Sequence, residues 1–129
     1  MQFDPLNDAM TKIWNAEQAG HFDVTVRPAS KLLGHLLEIM QQAGYIGEFE
    51  NLEDGRGGSF RVVLRGAINR CGVVKPRMSV RRADFEKFES RYLPAQDFGL
   101  LIMTTNQGVM HHYAAKEARI GGRLLAYVY

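Results

Sequence analysis

The sequence predicts an α+β protein made of two small subdomains. Three observations carry that expectation. Residues 1–66 switch between helical and strand periodicity in the order helix, strand, helix, strand, strand, a compact α/β unit. Residues 67–129 hold short alternating or apolar runs with brief helical stretches between them, so this half reads as mostly β. The chain has 129 residues and 46% apolar content, enough for a real core but only for one domain or two very small ones. We therefore divide it into an N-terminal subdomain, 1–66, and a C-terminal β-rich subdomain, 67–129.

Asp4-Pro5 opens the first helix, because Asp supplies an N-cap oxygen and Pro fits the first helical position. Leu6, Met10, Ile13 and Trp14 follow at helical spacing, and Gly20 is placed to end the helix. Phe22, Val24 and Val26 alternate with Asp23, Thr25 and Arg27, which predicts a half-buried strand that Pro28 stops. Ser30 can cap a second helix whose buried stripe is Leu32, Leu33, Leu36, Leu37 and Met40, with Gly44 closing it. Residues 45–52 are strand-like, and the turn at 53–58 joins them to an antiparallel strand in which Phe60, Val62 and Leu64 point inward.

In the second half, 66–76 reads as a loose connection, and Met78 and Val80 mark a strand. Residues 83–91 form a short helix with Phe85, Phe88 and Tyr92 turned inward, broken by Pro94. The apolar run from Phe98 to Met103 is a buried strand. Thr104 to Gly108 is a polar turn, residues 110–119 fit a short helix ended by Gly121-Gly122, and Leu124 to Tyr129 is a terminal strand. The longest apolar run is far below the ~20 residues a membrane helix needs, and no secretion signal opens the chain. Cys71 is the only cysteine, so no internal disulfide forms and a reducing, intracellular setting is expected.

Charge is the most informative feature. The net charge of +2 hides a strong asymmetry: residues 1–54 carry 3 basic and 9 acidic residues, residues 55–129 carry 13 and 5. Between Arg56 and Arg82 stand Arg56, Arg61, Arg65, Arg70, Lys75, Arg77, Arg81 and Arg82, with no acid among them. Arginine's planar fork suits phosphate oxygens and stacks on bases, so a polyanion is the expected partner, with nucleic acid first.

The candidate motifs differ in sharpness. Thr104, Thr105, Asn106, Gln107 and Gly108 place four hydrogen-bonding side chains next to a glycine, at the end of a buried strand. Hydroxyls and amides are the groups that read base edges and ribose 2′-hydroxyls. By composition alone, however, an ordinary turn is the better reading. Ser30 and Lys31 put a charge at a helix N-terminus, where a phosphate can bind, although a plain N-cap explains them too. The glycine-rich turn 55–58 lacks the Gly-Lys-Ser/Thr of a P-loop. His111-His112 and Cys71 lack metal-ligand spacing, and Glu48, Glu50, Glu53 and Asp54 read as a solvated face.

Several segments together resemble one family: the universal small-subunit ribosomal protein eight family, in its archaeal and eukaryotic form. They are Pro28-Ala29-Ser30-Lys31, Gly44-Tyr45-Ile46-Gly47-Glu48-Phe49-Glu50, Asp54-Gly55-Arg56, Asn69-Arg70-Cys71-Gly72 and Lys75-Pro76-Arg77. Further on come Leu93-Pro94, Phe98-Gly99, Thr104-Thr105, Gly108-Val109-Met110 and the run from Gly121 to Tyr129. The resemblance implies a two-part structural protein, not an enzyme, that binds ribosomal RNA and helps assemble the small subunit in the cytoplasm. Its partners would be small-subunit ribosomal RNA and neighbouring ribosomal proteins, with no cofactor, metal, membrane or small-molecule substrate. It also implies that Thr104, Thr105, Asn106, Gln107 and Gly108 enter an irregular RNA loop, with Ser30 and Lys31 touching RNA from the first half. Arg56, Lys75, Arg77 and Arg123 would add cationic contacts. The chain departs from the family in having Ala114 where Glu is usual and Arg119 where Gly is usual. Two other readings remain: an adaptor binding a basic partner through the acidic N-terminal face, and a small hydrolase pairing Cys71 with His111 or His112.

Overall fold

A computed structural model describes residues 5–129 except 28, 54, 56, 76, 82, 96 and 97. Asp4 as a helix cap, Pro28 as a strand stop, and Arg56 and Arg82 of the basic run lie outside the described residues. Within them the chain is α+β, as expected, with two antiparallel sheets. It divides into two compact units, Met1–Cys71 and Gly72–Tyr129.

The first unit runs α1 (Pro5–Gln18), β1 (Asp23–Val26), α2 (Lys31–Gln42), β2 (Ile46–Leu52) and β3 (Ser59–Leu64). Its sheet has the order β1-β3-β2, with both pairings antiparallel. α1 packs on β1 and α2 on β2, so Leu6, Met10 and Ile13 of α1 and Leu33, Leu36, Leu37 and Met40 of α2 are buried. Phe60, Val62 and Leu64 supply the buried face of β3, while Arg61 and Val63 face outward, as period-2 alternation requires. Leu32, expected in the α2 stripe, is only half-buried.

Phe22 is a correction. Alternation places it inward with Val24 and Val26, yet its side chain is 88% exposed. Its backbone stays in the ladder, since Leu64 N–H donates to the Phe22 carbonyl at 2.8 Å. The strand begins only at Asp23, so the ring sits past its end and finds no cover among the described residues.

The connection expected over 66–76 is more ordered through its described residues 66–75 than its composition suggests, because they contain β4 (Cys71–Val73) and the buried Ile68 and Val74. Three contacts tie 68–71 to α1. Trp14 Nε1–H donates to the Asn69 carbonyl at 3.3 Å, Ile68 N–H donates to Glu17 Oε1 at 3.2 Å, and Cys71 Sγ lies 3.7 Å from the Met10 carbonyl.

The second unit adds β5 (Ser79–Val80), α3 (Phe85–Tyr92), β6 (Leu100–Thr105), β7 (Gly108–His111), α4 (His112–Ala118) and β8 (Gly122–Val128). Strand order is β4-β8-β6-β7, with β5 pairing β8 off that path. One cluster forms the core: Val74, Val80, Phe85, Phe88, Leu93, Leu101, Met103, Ala115 and Leu124. The buried strand expected from Phe98 begins at Leu100 instead, and Phe98 is 48% exposed. Leu125 is the extra residue of a β-bulge, because Ile102 pairs with Ala126 and Met103 with Leu124.

Three helices end in the same way. After α1, Gly20 N–H donates to the Glu17 carbonyl and His21 N–H to that of Ala16. After α2, Gly44 and Tyr45 repeat the pattern onto Gln41 and Met40. After α4, Arg119 and Ile120 repeat it onto Lys116 and Ala115. This pair of bonds needs a left-handed residue at its centre, normally Gly. Gly20 and Gly44 have φ of 74° and 84°, but the third position is Arg119, at φ 58° and ψ 42°. A left-handed L-residue costs about 1–2 kcal/mol. Replacing it with Gly relieves that strain, and the greater unfolded-state entropy of Gly returns part of the gain. We expect Arg119→Gly to raise stability by about 0.5–1 kcal/mol, read from the midpoint of urea unfolding.

Candidate nucleic-acid interface

The polar segment 104–108 is not a loop between a strand and a helix. It is the end of a β-hairpin, because β7 intervenes before α4. Thr104 and Thr105 finish β6, Asn106 and Gln107 form the turn, and Gly108 starts β7 at φ 113°. β-Branched threonines extend the strand by two residues beyond the apolar run, and Gly108 directly opposes Thr105 across the ladder.

Thr105 holds the turn together. Its hydroxyl donates to the Gly108 carbonyl at 2.9 Å and accepts from Gln107 N–H at 3.1 Å. The role expected of this side chain is recognition, but in the structure its proton is already committed to the protein's own backbone. Asn106 and Gln107 differ: both are exposed, and neither side chain has a hydrogen-bond partner among the described residues. The amide-bearing tip is therefore presented on a base that is already tied.

Two features stiffen that base. At Gly122 a side-chain carbon would lie 2.3 Å from the Thr104 carbonyl and 3.0 Å from Thr105 Cγ2, so only glycine lets β8 approach β6 this closely. At the far end His112 is fully buried, and its Nδ1 accepts from Leu101 N–H at 3.0 Å. The ring proton is then on Nε2, which faces Glu89 Oε1 at 3.4 Å, and Glu89 pairs with Lys116. Burial pushes the His112 pKa down to about 4, against the attraction of Glu89 and with a smaller contribution from Lys116. His111 acts elsewhere, since its Nδ1 accepts from Ala114 N–H and caps α4. Sequence reasoning missed both histidine roles, because neither has a local spacing signature.

Strand register brings Arg123 to the hairpin. Thr104 lies opposite both Val109 and Arg123, and Arg123 lies opposite Ser79. Side chains directly opposite share a face, so Ser79, Arg123, Thr104 and Val109 form one row across β5, β8, β6 and β7. Arg77, two residues before Ser79, is exposed. Lys75 is exposed too, and already engaged within the protein. Ser30 and Lys31 belong to the first unit, where Ser30 Oγ accepts from Leu33 N–H at 3.1 Å as the N-cap of α2 and Lys31 is exposed.

The basic run is not one uniform surface. Arg61 Nε and Nη2 both donate to Asp23 Oδ2, at 2.9 and 2.6 Å, and Nη1 lies 3.5 Å from Glu50. That contact neutralises part of the acidic N-terminal face as well. Arg65 Nη1 donates to the Gly44 carbonyl at 3.1 Å, and the Arg70 guanidinium sits 5.8 Å from the Trp14 ring centre. Cys71 is buried, and desolvation, with a lesser push from Glu17, drives its pKa up to about 12. The thiol stays protonated at neutral pH and is not an activated nucleophile.

A family model described as ribosomal protein S8 matches residues 4–129. A Picrophilus torridus protein named small ribosomal subunit protein uS8 is 53% identical over 129 residues, covering 100% of both chains.

Two outcomes follow from this geometry. Thr105→Val keeps the shape and removes the hydroxyl, so it should cost about 1 kcal/mol and speed amide exchange at Gln107. In an unfolded chain His112 titrates near 6.5, and in the folded protein at about 4. Above 6.5 the imidazole is neutral in both states and contributes no pH dependence. As pH falls from 6.5 towards 4, the unfolded chain takes up a proton that the folded one refuses, and stability declines by at most about 1.4 kcal/mol per unit. Urea midpoints between these pH values should fall for the native protein and fall less for His112→Gln.

Proposed function

The chain belongs to the ribosomal protein S8 family, and from that premise we propose that it binds small-subunit ribosomal RNA directly. It does so as a structural component of the ribosome in the cytoplasm, beside neighbouring small-subunit proteins, and not as a catalyst. The observation that carries this reading is the hairpin tip. Asn106 and Gln107 offer amide groups without a partner among the described residues, on a turn braced by Thr105 and near Arg123, which lies opposite Thr104.

The mechanism divides into two parts. Arg77 and Arg123, with Lys75 and Arg56, neutralise phosphates and orient the RNA, a contribution that weakens as salt rises. The amides of Asn106 and Gln107, with the Thr104 hydroxyl, bond to base edges and riboses where the RNA is irregular and its bases are unstacked. Regular A-form RNA has a major groove too narrow for such a tip, so an internal loop is the matching target. Thr105 and Gly108 serve by rigidity: a turn already tied before binding loses little entropy on contact. Ser30 and Lys31 give the first unit its own contact, at the N-terminus of α2.

The test is the double variant Asn106→Ala/Gln107→Ala. Two or so lost recognition bonds should weaken binding to a small-subunit RNA transcript by about 1–3 kcal/mol. Binding to a random transcript of equal length should change little, and thermal unfolding should stay in place because both side chains are exposed. Unchanged preference for the small-subunit transcript would show that the tip does not recognise it.

A further inference from the structure

The outer side of β5 holds cationic groups that the hairpin does not use. Inward residues alternate along this segment: Met78 packs against the core of the second unit, and Val80 is 3% exposed. Arg77, Ser79 and Arg81 occupy the intervening positions, and all three are exposed. The pairing of β5 with β8 continues beyond its two strand residues, since Leu124 N–H donates to the Met78 carbonyl at 2.9 Å. Ser79 lies opposite Arg123, and Arg123 opposite Thr104 at the hairpin. Neighbouring strands are about 4.8 Å apart, and Arg77 and Arg81 flank the two-residue strand, two positions before and after Ser79. Register thus sets the Arg123 side chain beside the Ser79 hydroxyl, and the exposed Arg77 and Arg81 bracket that hydroxyl in the chain.

None of the Arg77, Ser79, Arg81 and Arg123 side chains has a hydrogen-bond or ion-pair partner among the described residues. Arg61, Arg65, Arg70 and Arg91 contrast with them, being held by carboxylates, a carbonyl or an aromatic ring. Like charges this close repel within a Debye length of about 8 Å, and an anion placed between them removes that repulsion. Forked guanidinium donors match the oxygens of a phosphate, and a serine hydroxyl adds a further donor.

We infer that Arg77, Ser79, Arg81 and Arg123 form a phosphodiester-binding strip along the outer side of β5 and β8. The strip rests on the reading that this protein binds ribosomal RNA. It holds the backbone of the strand whose unstacked bases meet the Asn106–Gln107 tip, because the row through Arg123 and Thr104 runs directly from one to the other. Ser79 and Arg81 thus become binding residues alongside Arg77 and Arg123. The strip reads no sequence, and its contribution is equal for any RNA that reaches it.

Binding of the full chain to the small-subunit RNA transcript and to a random transcript, across a salt series, tests this. Arg81→Gln should weaken both complexes by the same factor, about three- to tenfold, and reduce the log–log salt slope by about 0.7–0.9. Ser79→Asp, which sets a carboxylate among the cations, should weaken both more than Ser79→Ala does. Lys87→Gln removes the same charge from an exposed site on α3, and should leave the slope unchanged. All three substituted positions are exposed, so thermal unfolding should not move. Native slopes for Arg81→Gln and Ser79→Asp would overturn the strip, as would an equal slope change in Lys87→Gln. The two readings fail separately: preference between transcripts tests the tip, and the salt slope tests the strip.

Discussion

The second unit depends on one hydrogen bond, from the Leu101 amide to the buried imidazole of His112. β7 pairs with β6 only as far as His111 opposite Ile102, and then the chain turns into α4. Leu101 would otherwise leave a buried donor unsatisfied, at a cost of about 1–3 kcal/mol. The imidazole fills the place that a strand carbonyl would have taken. The hairpin can therefore end abruptly in a helix and keep its register. That register sets Thr104 beside Arg123 and carries Asn106 and Gln107 out on the turn. The same imidazole packs against Tyr113, their ring centres 3.9 Å apart, so it is both a hydrogen-bond acceptor and part of the packing. The consequence is a group that must stay neutral, which makes the unit sensitive to acid but not to changes above neutrality.

A second constraint is how closely the strands approach. Gly122 and the bulge at Leu125 let β8 press against the last residues of β6. Rigidity at the base leaves the tip's amides as the groups still open to a partner. Thr105 illustrates the division of labour. A hydroxyl at the end of a strand can recognise a ligand or brace a turn, and here its proton is used for bracing.

The arginines divide in the same manner. Those of the first unit largely serve the protein itself, as with Arg61 between Asp23 and Glu50. Arg77 and Arg81, which flank β5, and Arg123 of β8 are exposed without partners among the described residues. A charge count over residues 55–129 cannot distinguish these groups, because it registers composition and not what each guanidinium touches. The acidic first half is likewise less available to a basic partner than its composition suggests.

Periodicity, with capping and breaking residues, made α1, α2 and α3, the buried stripes of α1 and α2, and the alternation of β3 legible, because burying an apolar face imposes a repeat of 3.6 or 2 on neighbouring residues; the helix expected over 110–119 begins only at His112, since β7 takes 110 and 111. The charge asymmetry and the polar segment 104–108 were legible for the same reason: each is a property of consecutive residues. Other features were decided only in three dimensions. β4 and β7 are three and four residues long, too short for a repeat, and exist because a partner strand supplies their hydrogen bonds. Phe22 obeys its strand's alternation in sequence but lies beyond the element that would cover it. The left-handed turn at Arg119, the histidine under Leu101, and the row from Ser79 to Val109 all depend on groups distant in the chain meeting at one place. Local patterns specify which face is apolar, whereas strand register decides which polar groups share the other face, and register is a property of pairs.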